Sequence, residues 1–334
     1  MNLLKKNAVL MIGQDNFFSN LDNVFVDYIS TGRSITPFST ESKTSSLVEI
    51  LRVLTKAILG KYNVVVLPAW HPNWTADLSL KKKFVRMFLT FMGQVYLGGI
   101  ALKLAKFFGQ TKIVMIDRYD TKEIAKESLQ YLSNVDIYLK SNLLKRYAGR
   151  QDSGVFFSRL PYWINCDVYP SDIAIKDKEY DVCFAGALNS NARQFAVDTL
   201  KRLADYDLNI YIPSENLDKK SYCQMLQKSW LALSPEGIGF HCFRHYEAMA
   251  MGAVPLINFP ETDLITCHED AVDVLFFNLK FEDFKEKIMN SLRDKEMLMK
   301  IILNNLANLE AKYSPRAVGK EILDLCDQLE QGLI

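Results

Sequence analysis

The sequence lacks most of the features that would assign it at a glance. Its 334 residues hold 40 Lys and Arg against 39 Asp and Glu, a net charge of +1. A nucleic-acid partner would want a basic excess, so none is expected. The six cysteines (Cys166, Cys183, Cys223, Cys242, Cys267 and Cys326) include no C-x-x-C pair. Several lie in apolar runs, which favours reduced, buried thiols over disulfides or zinc ligands. No G-x-G-x-x-G follows the first apolar run, which argues against a dinucleotide dehydrogenase. Residues 81–112 are apolar, aromatic and basic at once, yet Arg86, Lys103, Lys106, Gly93 and Gly98-Gly99 interrupt them too often for a membrane span. The run from Ala8 to Gly13 is too short for a signal peptide and fits a first strand, so a cytoplasmic protein is expected. In that compartment the sequon Asn73-Trp74-Thr75 carries no weight. Asp205-Tyr206-Asp207 is formally a D-x-D, but it precedes a strand instead of following one. It reads as a turn, and neither a metal nor another cofactor is expected.

What is present is globular: 49% hydrophobic and 24% charged residues, in a length that suits two domains. The chain is organised around Ser229 to Ile257, SWLALSPEGIGFHCFRHYEAMAMGAVPLI. Trp230 to Leu233 reads as a strand that Ser234-Pro235 ends. Gly237 and Gly239 make a loop where backbone can come close to a ligand. A helix from about Phe240 to Met251 follows, Gly252 sits where a C-terminal cap belongs, and Ala253 to Ile257 is the next buried strand.

A glycine loop entering a helix N-terminus suits an anion, because free N–H groups and the helix dipole both point at it. Arg244 and Glu247 share one face of that helix. Together they offer a cation for a phosphate and a carboxylate for a ribose diol, the pair a nucleotide sugar requires. The competing interpretation is an ordinary strand–helix–strand unit with a solvated ion pair.

The stretch resembles the donor-binding motif of GT-B glycosyltransferases, especially the exostosin-like group. Ser229, Pro235, Gly237, Arg244, Glu247, Ala248, Gly252 and Pro255 match the pattern, with weaker similarity from about Asp181 to Arg316. The resemblance implies that Glu247 holds the nucleotide ribose. A commoner pattern carries two glutamates seven residues apart, but Gly239 stands at the first position and Glu236 is three residues early. Membership of the large retaining group with that pair is not implied.

The flanking chain supplies further candidates. Strands are expected at Ala8–Ile12, Asn63–Leu67, Lys112–Ile116 and Val135–Leu139, and ligands in α/β sheets bind beyond the carboxyl ends of such strands. Asp15 lies in the loop after the first strand, either at the active site or as a helix N-cap. His71 follows the second, between Trp70 and Trp74, a setting that suits sugar stacking with proton transfer or a structural plug. Asp117 ends the third, as a base or nucleophile, or merely ahead of a helix beginning near Thr121. A basic helix is expected to start at Lys140.

A change of texture from Leu160 to Tyr180 marks a boundary. Beyond it, Asp181–Phe184 opens a second sheet and Leu208–Ile212 continues it. By resemblance, the loop with Gly186 and Arg193 faces the donor diphosphate. Pro213 lies where such folds meet the base, and Ser234 belongs to the motif's loop. Phe281 to Leu309 is helical, and a last helix runs from Pro315 to Gln331.

The expected fold is α/β of GT-B type: two Rossmann-like domains facing across a cleft. Residues 1–165 bind acceptor, 166–312 bind the nucleotide sugar, and 313–334 form a helix crossing back to the first domain. The expected activity is metal-independent transfer of a sugar from a nucleotide-activated donor to a glycan or lipid-linked acceptor, in bacterial surface polysaccharide synthesis. Residues 81–112 are a candidate contact with the inner face of the cytoplasmic membrane. An inverting reaction would need a general base among Asp15, His71 and Asp117; a retaining one could use Asp117 as nucleophile. Two other classes stay open, a nucleotide-sugar epimerase on the same fold and a non-catalytic scaffold.

Overall fold

The computed structural model describes residues 7–13, 17–18, 21–30, 47–69, 102–124, 134–151, 153–164 and 178–334. It divides into two compact units. One draws on Met1–Ile35, Thr40–Leu160 and Pro315–Ile334, the other on Thr36–Ser39 and Pro161–Ser314.

The first unit holds β1 (Asn7–Gly13), β2 (Val24–Ser30), α1 (Leu47–Ile58), β3 (Val64–Pro68), α2 (Leu102–Gly109), β4 (Lys112–Asp117), β5 (Ile137–Lys140), β6 (Gly149–Arg150) and β7 (Phe156–Arg159). Its sheet runs β2-β1-β3-β4-β5-β7-β6, parallel except where β6 meets β7. The apolar runs NVVVL and KIVMI become its central strands, as their uninterrupted hydrophobicity requires of strands covered on both faces.

Two features depart from expectation. β2 is an edge strand whose sequence, VFVDYIS, is broken by Asp27. Lys56 and the Tyr62 hydroxyl donate to that carboxylate at 2.7 and 2.6 Å, which makes the charge tolerable there. The basic helix expected from Lys140 is a single 3-10 turn at Lys145–Tyr147, followed by β6 and β7. Lys140 itself ends β5, with its ammonium drawn 3.0 Å from Asp117.

The last helix, α8 (Pro315–Glu330), groups with this unit. It can lie close because of Gly319, where an added Cβ would come within 2.9 Å of the Phe17 carbonyl carbon and 3.2 Å of Leu21.

The second unit holds β8 (Tyr180–Cys183), α3 (Asn191–Arg202), β9 (Ile210–Tyr211), α4 (Lys219–Gln227), β10 (Ser229–Leu233), α5 (Phe243–Ala250), β11 (Val254–Asn258), β12 (Leu275–Phe277), α6 (Phe281–Arg293) and α7 (Lys295–Tyr313). Its parallel sheet runs β12-β11-β10-β8-β9. The core under it joins Val182, Leu231, Leu233, Val254 and Leu256 of the sheet to Leu200 of α3 and Ile288 of α6. Phe281 to Leu309, expected as one helical stretch, is two helices that meet at Asp294, whose carboxylate caps α7 at Met297 N–H. Asp205-Tyr206-Asp207 is a turn as expected: it closes a 3-10 segment, with Asp207 left-handed at φ 59°.

Candidate functional site

Three connections of the second sheet converge on one cavity of about 1320 Å³. They are the loop from β8 to α3, the loop after β9 with the start of α4, and the start of α5. The volume exceeds the roughly 300–1,000 Å³ of common small-molecule sites, so a nucleotide with its sugar has room.

The helix at the heart of the sequence motif begins later than its spacing suggests, at Phe243 instead of Phe240. The loop before it is closed by its own bonds. Gly237 N–H donates to the Gly239 carbonyl at 3.0 Å, and His245 Nε2 lies 2.9 Å from the Phe240 carbonyl, which requires a proton on that nitrogen. His245 Nδ1 then faces the Ser234 hydroxyl at 2.8 Å. The helix ends as expected. Gly252 is left-handed at φ 69°, Gly252 N–H donates to Met249 and Ala253 N–H to Ala248, the paired bonds of a glycine C-cap.

Arg244 and Glu247 both line the cavity. Arg244 extends over Gly186, the glycine of the β8–α3 loop, and lies 5.0 Å from the Phe184 ring centroid. Gly186 is required twice over. Its φ is +149°, and any Cβ there would overlap the Arg244 guanidinium, lying 2.9 Å from Cζ. Nε and Nη1 of Arg244 are buried with no hydrogen-bond partner among the described residues. Each unmade bond of a charged donor costs more than the about 1–3 kcal/mol of a neutral one, so this arrangement suits a site that an anion completes.

Glu247 is 5% exposed and accepts a hydrogen bond from the Tyr222 hydroxyl at 2.7 Å. Tyr222 comes from α4, and no spacing in the sequence joins it to Glu247. Burial first, and then the charge of Glu247, push the Tyr222 phenol well above its ordinary pKa, so it remains a donor.

Arg193 reaches the same wall differently. Its Nη1 donates to the Ala187 carbonyl at 3.1 Å and to Asn189 Oδ1 at 2.8 Å, and its Nε lies 3.4 Å from the Pro235 carbonyl. Gly237 gives it space, since a Cβ there would fall 2.6 Å from Nη2. Ser190 caps α3 through Arg193 N–H and donates to the Glu236 carbonyl at 2.6 Å. Arg193 is therefore a clamp between two glycine loops, with donors already engaged by the protein.

The remaining expected residues separate. Pro213 lines the cavity beside Ser214. Ser234 is fully buried against His245 and sits beneath the site, and Gly239 is likewise buried in the loop, its carbonyl closing the turn. Neither lines the cavity, because the loop's own bonds turn them inward. Asp117, in the first unit, is completely enclosed. Tyr138 donates to it at 2.6 Å and Lys140 at 3.0 Å, while its other oxygen accepts from Tyr119 N–H at 3.0 Å. A base or nucleophile must touch substrate, and this carboxylate instead neutralises a buried lysine. No helix follows it at residues 121–124. Asp15, His71 and most of the 81–112 stretch lie outside the described residues.

Cys242 was not singled out in the sequence beyond its apolar setting, yet it lines the cavity at the N-cap of α5 and offers no cap bond. Burial pushes its thiol up, but the His245 ring 3.6 Å away, Arg244 and the Ser234 hydroxyl reverse this and bring it to about 5.

Residues 174–306, which contain the whole cavity wall, match the family model of the RXYLT1 C-terminal domain, of the exostosin-like glycosyltransferases. The second unit carries a glycosyltransferase domain. This exostosin-like domain bears out the resemblance read from Ser229 to Pro255. A comparison with curated protein sequences finds no match. Among solved structures, the glycosyltransferase from Rickettsia africae ESF-5 is similar with a TM-score of 0.55 and 11% identity, over 97% of this chain and 98% of that one. An alpha-glucosyltransferase in complex with UDP and a 13-mer DNA containing a central A:G mismatch is similar with a TM-score of 0.52 and 10% identity, over 96% and 99%. At such identities the likeness concerns the fold, and the fold class expected from the sequence, GT-B, is borne out along the full chain.

Proposed function

We propose that the protein transfers a sugar from a uridine diphosphate sugar, held in the second unit, to a glycan or lipid-linked glycan. The observation that carries this is Arg244: a guanidinium at a helix start, aimed over a glycine loop, with two buried donors that no group among the described residues satisfies. A diphosphate fits those donors. The uncapped start of α5 adds its dipole to the same anion. Glu247, held by Tyr222, accepts the ribose hydroxyls, and the apolar wall of Ile210, Ile212 and Pro213 suits a base.

Chemically, such a site acts on the leaving group. As the glycosidic bond to the diphosphate breaks, negative charge grows on the phosphate oxygen, and a preorganised cation with buried donors stabilises that charge more than the ground state. Arg244 thus takes the part that a divalent metal takes elsewhere, and turnover should persist in EDTA. Uridine is favoured because UDP occupies the alpha-glucosyltransferase of similar fold. That neighbour was solved with DNA, but the net charge of +1 here gives no basic excess for a nucleic-acid acceptor.

On the acceptor side, α2 ends in Phe107 and Phe108, 81% and 63% exposed, with Lys103 also exposed on that short helix. Aromatic and basic groups together suit an anionic membrane surface, where lipid-linked glycans of bacterial surface polysaccharides are assembled.

The test is thermal stabilisation of the purified protein by UDP, GDP, ADP and CMP. Ligand at a hundredfold excess over its Kd adds about 2.7 kcal/mol to stability. UDP is expected to shift the midpoint most, and the shift should vanish in E247A. A protein that none of the four stabilises has no donor site of this kind.

A further inference from the structure

We infer that Tyr222 is a positioning residue of the donor site, setting the protein's preference for a ribonucleotide over a deoxyribonucleotide. The inference rests on the donor reading of the cavity and adds to it a residue outside the sequence motif.

Glu247 lies on α5, and its carboxylate is almost wholly withdrawn from water. A carboxylate in such a place needs donors, or it is driven to take up a proton and lose its acceptor capacity. Tyr222 supplies one, with its hydroxyl 2.7 Å from Oε2. The bond has one direction only. A phenol pushed well above its ordinary pKa by burial and by Glu247 stays protonated, so it always donates to the carboxylate.

The phenol is itself held in place. Asp218 caps α4 through Ser221 N–H at 2.8 Å, and Tyr222 N–H closes the same turn on the Asp218 carbonyl at 2.9 Å. The ring therefore stands at the first turn of a capped helix, while Glu247 stands in the body of another. Both line the cavity. Two elements joined by one short charge-assisted bond fix the carboxylate in rotation, leaving it to meet a substrate hydroxyl in a single orientation. A ribose diol has the donors this oriented acceptor needs, and a deoxyribose lacks one of them. A site built to hydrogen-bond a hydroxyl rejects the analogue without it.

The test compares UDP, 2′-deoxy-UDP and 3′-deoxy-UDP by calorimetry against the natural full-length chain and Y222F. In the natural protein at least one deoxy compound should bind about tenfold or more weakly than UDP, the worth of one hydrogen bond to a charged group. In Y222F that ratio should fall to about threefold or less, because UDP loses affinity and the deoxy compound does not. Equal loss for all three ligands would make Tyr222 part of the cavity wall only and would overturn the inference. An unchanged ratio would do the same. A Y222F chain that fails to fold would show the bond to be a structural strut, again against a positioning role. Failure of UDP to bind the natural protein is a different outcome, which removes the donor reading itself.

Discussion

Of the helices of the second unit that begin at the cavity wall, α3 and α5 begin differently. At α3 the start is closed. Ser190 caps it, and Arg193 gives its donors to Ala187, Asn189 and Pro235. At α5 the start is open. Cys242 makes no cap bond, and Arg244 keeps two buried donors without a partner among the described residues. Each arginine lies against a glycine of the opposite loop, Arg193 on Gly237 and Arg244 on Gly186. The contrast teaches that residue type and proximity do not define a phosphate ligand. What defines it is hydrogen-bonding capacity that folding leaves unsatisfied.

The sharpest way to break this contrast is to remove each charge in turn. R244Q should lower kcat/KM about 100- to 1,000-fold, as loss of a donor to developing charge does elsewhere, while the unliganded protein keeps its thermal midpoint. R193Q should do the reverse, costing about 3 kcal/mol of stability for its broken loop bonds, with a smaller effect on UDP affinity. A stable R193Q protein that cannot bind UDP would return Arg193 to the role its sequence position suggests.

The glycines carry the next largest effect. G186A must displace the Arg244 guanidinium and is expected to weaken UDP binding by at least about tenfold, an energy of about 1.4 kcal/mol. G237A presses on Arg193 instead and should lower the midpoint more than the affinity. Equal effects of the two would erase the distinction between the loops.

The smallest effect concerns Cys242, which separates the two starts chemically. A thiol at about 5 is already thiolate at neutral pH, so alkylation by iodoacetamide should be as fast at pH 7 as at pH 8.5 and fall only near pH 5. Buried Cys183, pushed up to about 11, should stay unlabelled. UDP should protect Cys242. A labelling rate that climbs steeply between pH 7 and 8.5 would show an ordinary thiol and a weaker field at the start of α5.

Much of this was legible in the sequence, for reasons that can be named. NVVVL and KIVMI announce buried parallel strands, and the glycine loop, Arg244, Glu247 and Gly252 carry their own spacing because they lie within one strand–helix–strand unit. Bonds between distant segments were not legible. Asp27 hides β2 by interrupting its apolar run, and only Lys56 and Tyr62 explain its presence. Lys140 looked like a helix start, but its partner Asp117 draws it into the sheet. That same pair withdraws Asp117 from the catalytic candidates. Tyr222 and Glu247 are 25 positions apart, and Arg193 could not be ranked against Arg244 until the carbonyls around each were known.

The grouping of α8 with the first unit has a temporal consequence. A ribosome releases residues 7–160 long before it releases Pro315–Glu330, and the whole transferase domain emerges in between. The second unit, drawn from Pro161–Ser314 apart from Thr36–Ser39, can complete itself as that stretch appears. The first must wait, with the surface around Phe17 uncovered until Gly319 arrives to close on it. The earliest part of the protein to be made is thus the last to be finished, and that interval is when nascent chains would most need a chaperone's shelter.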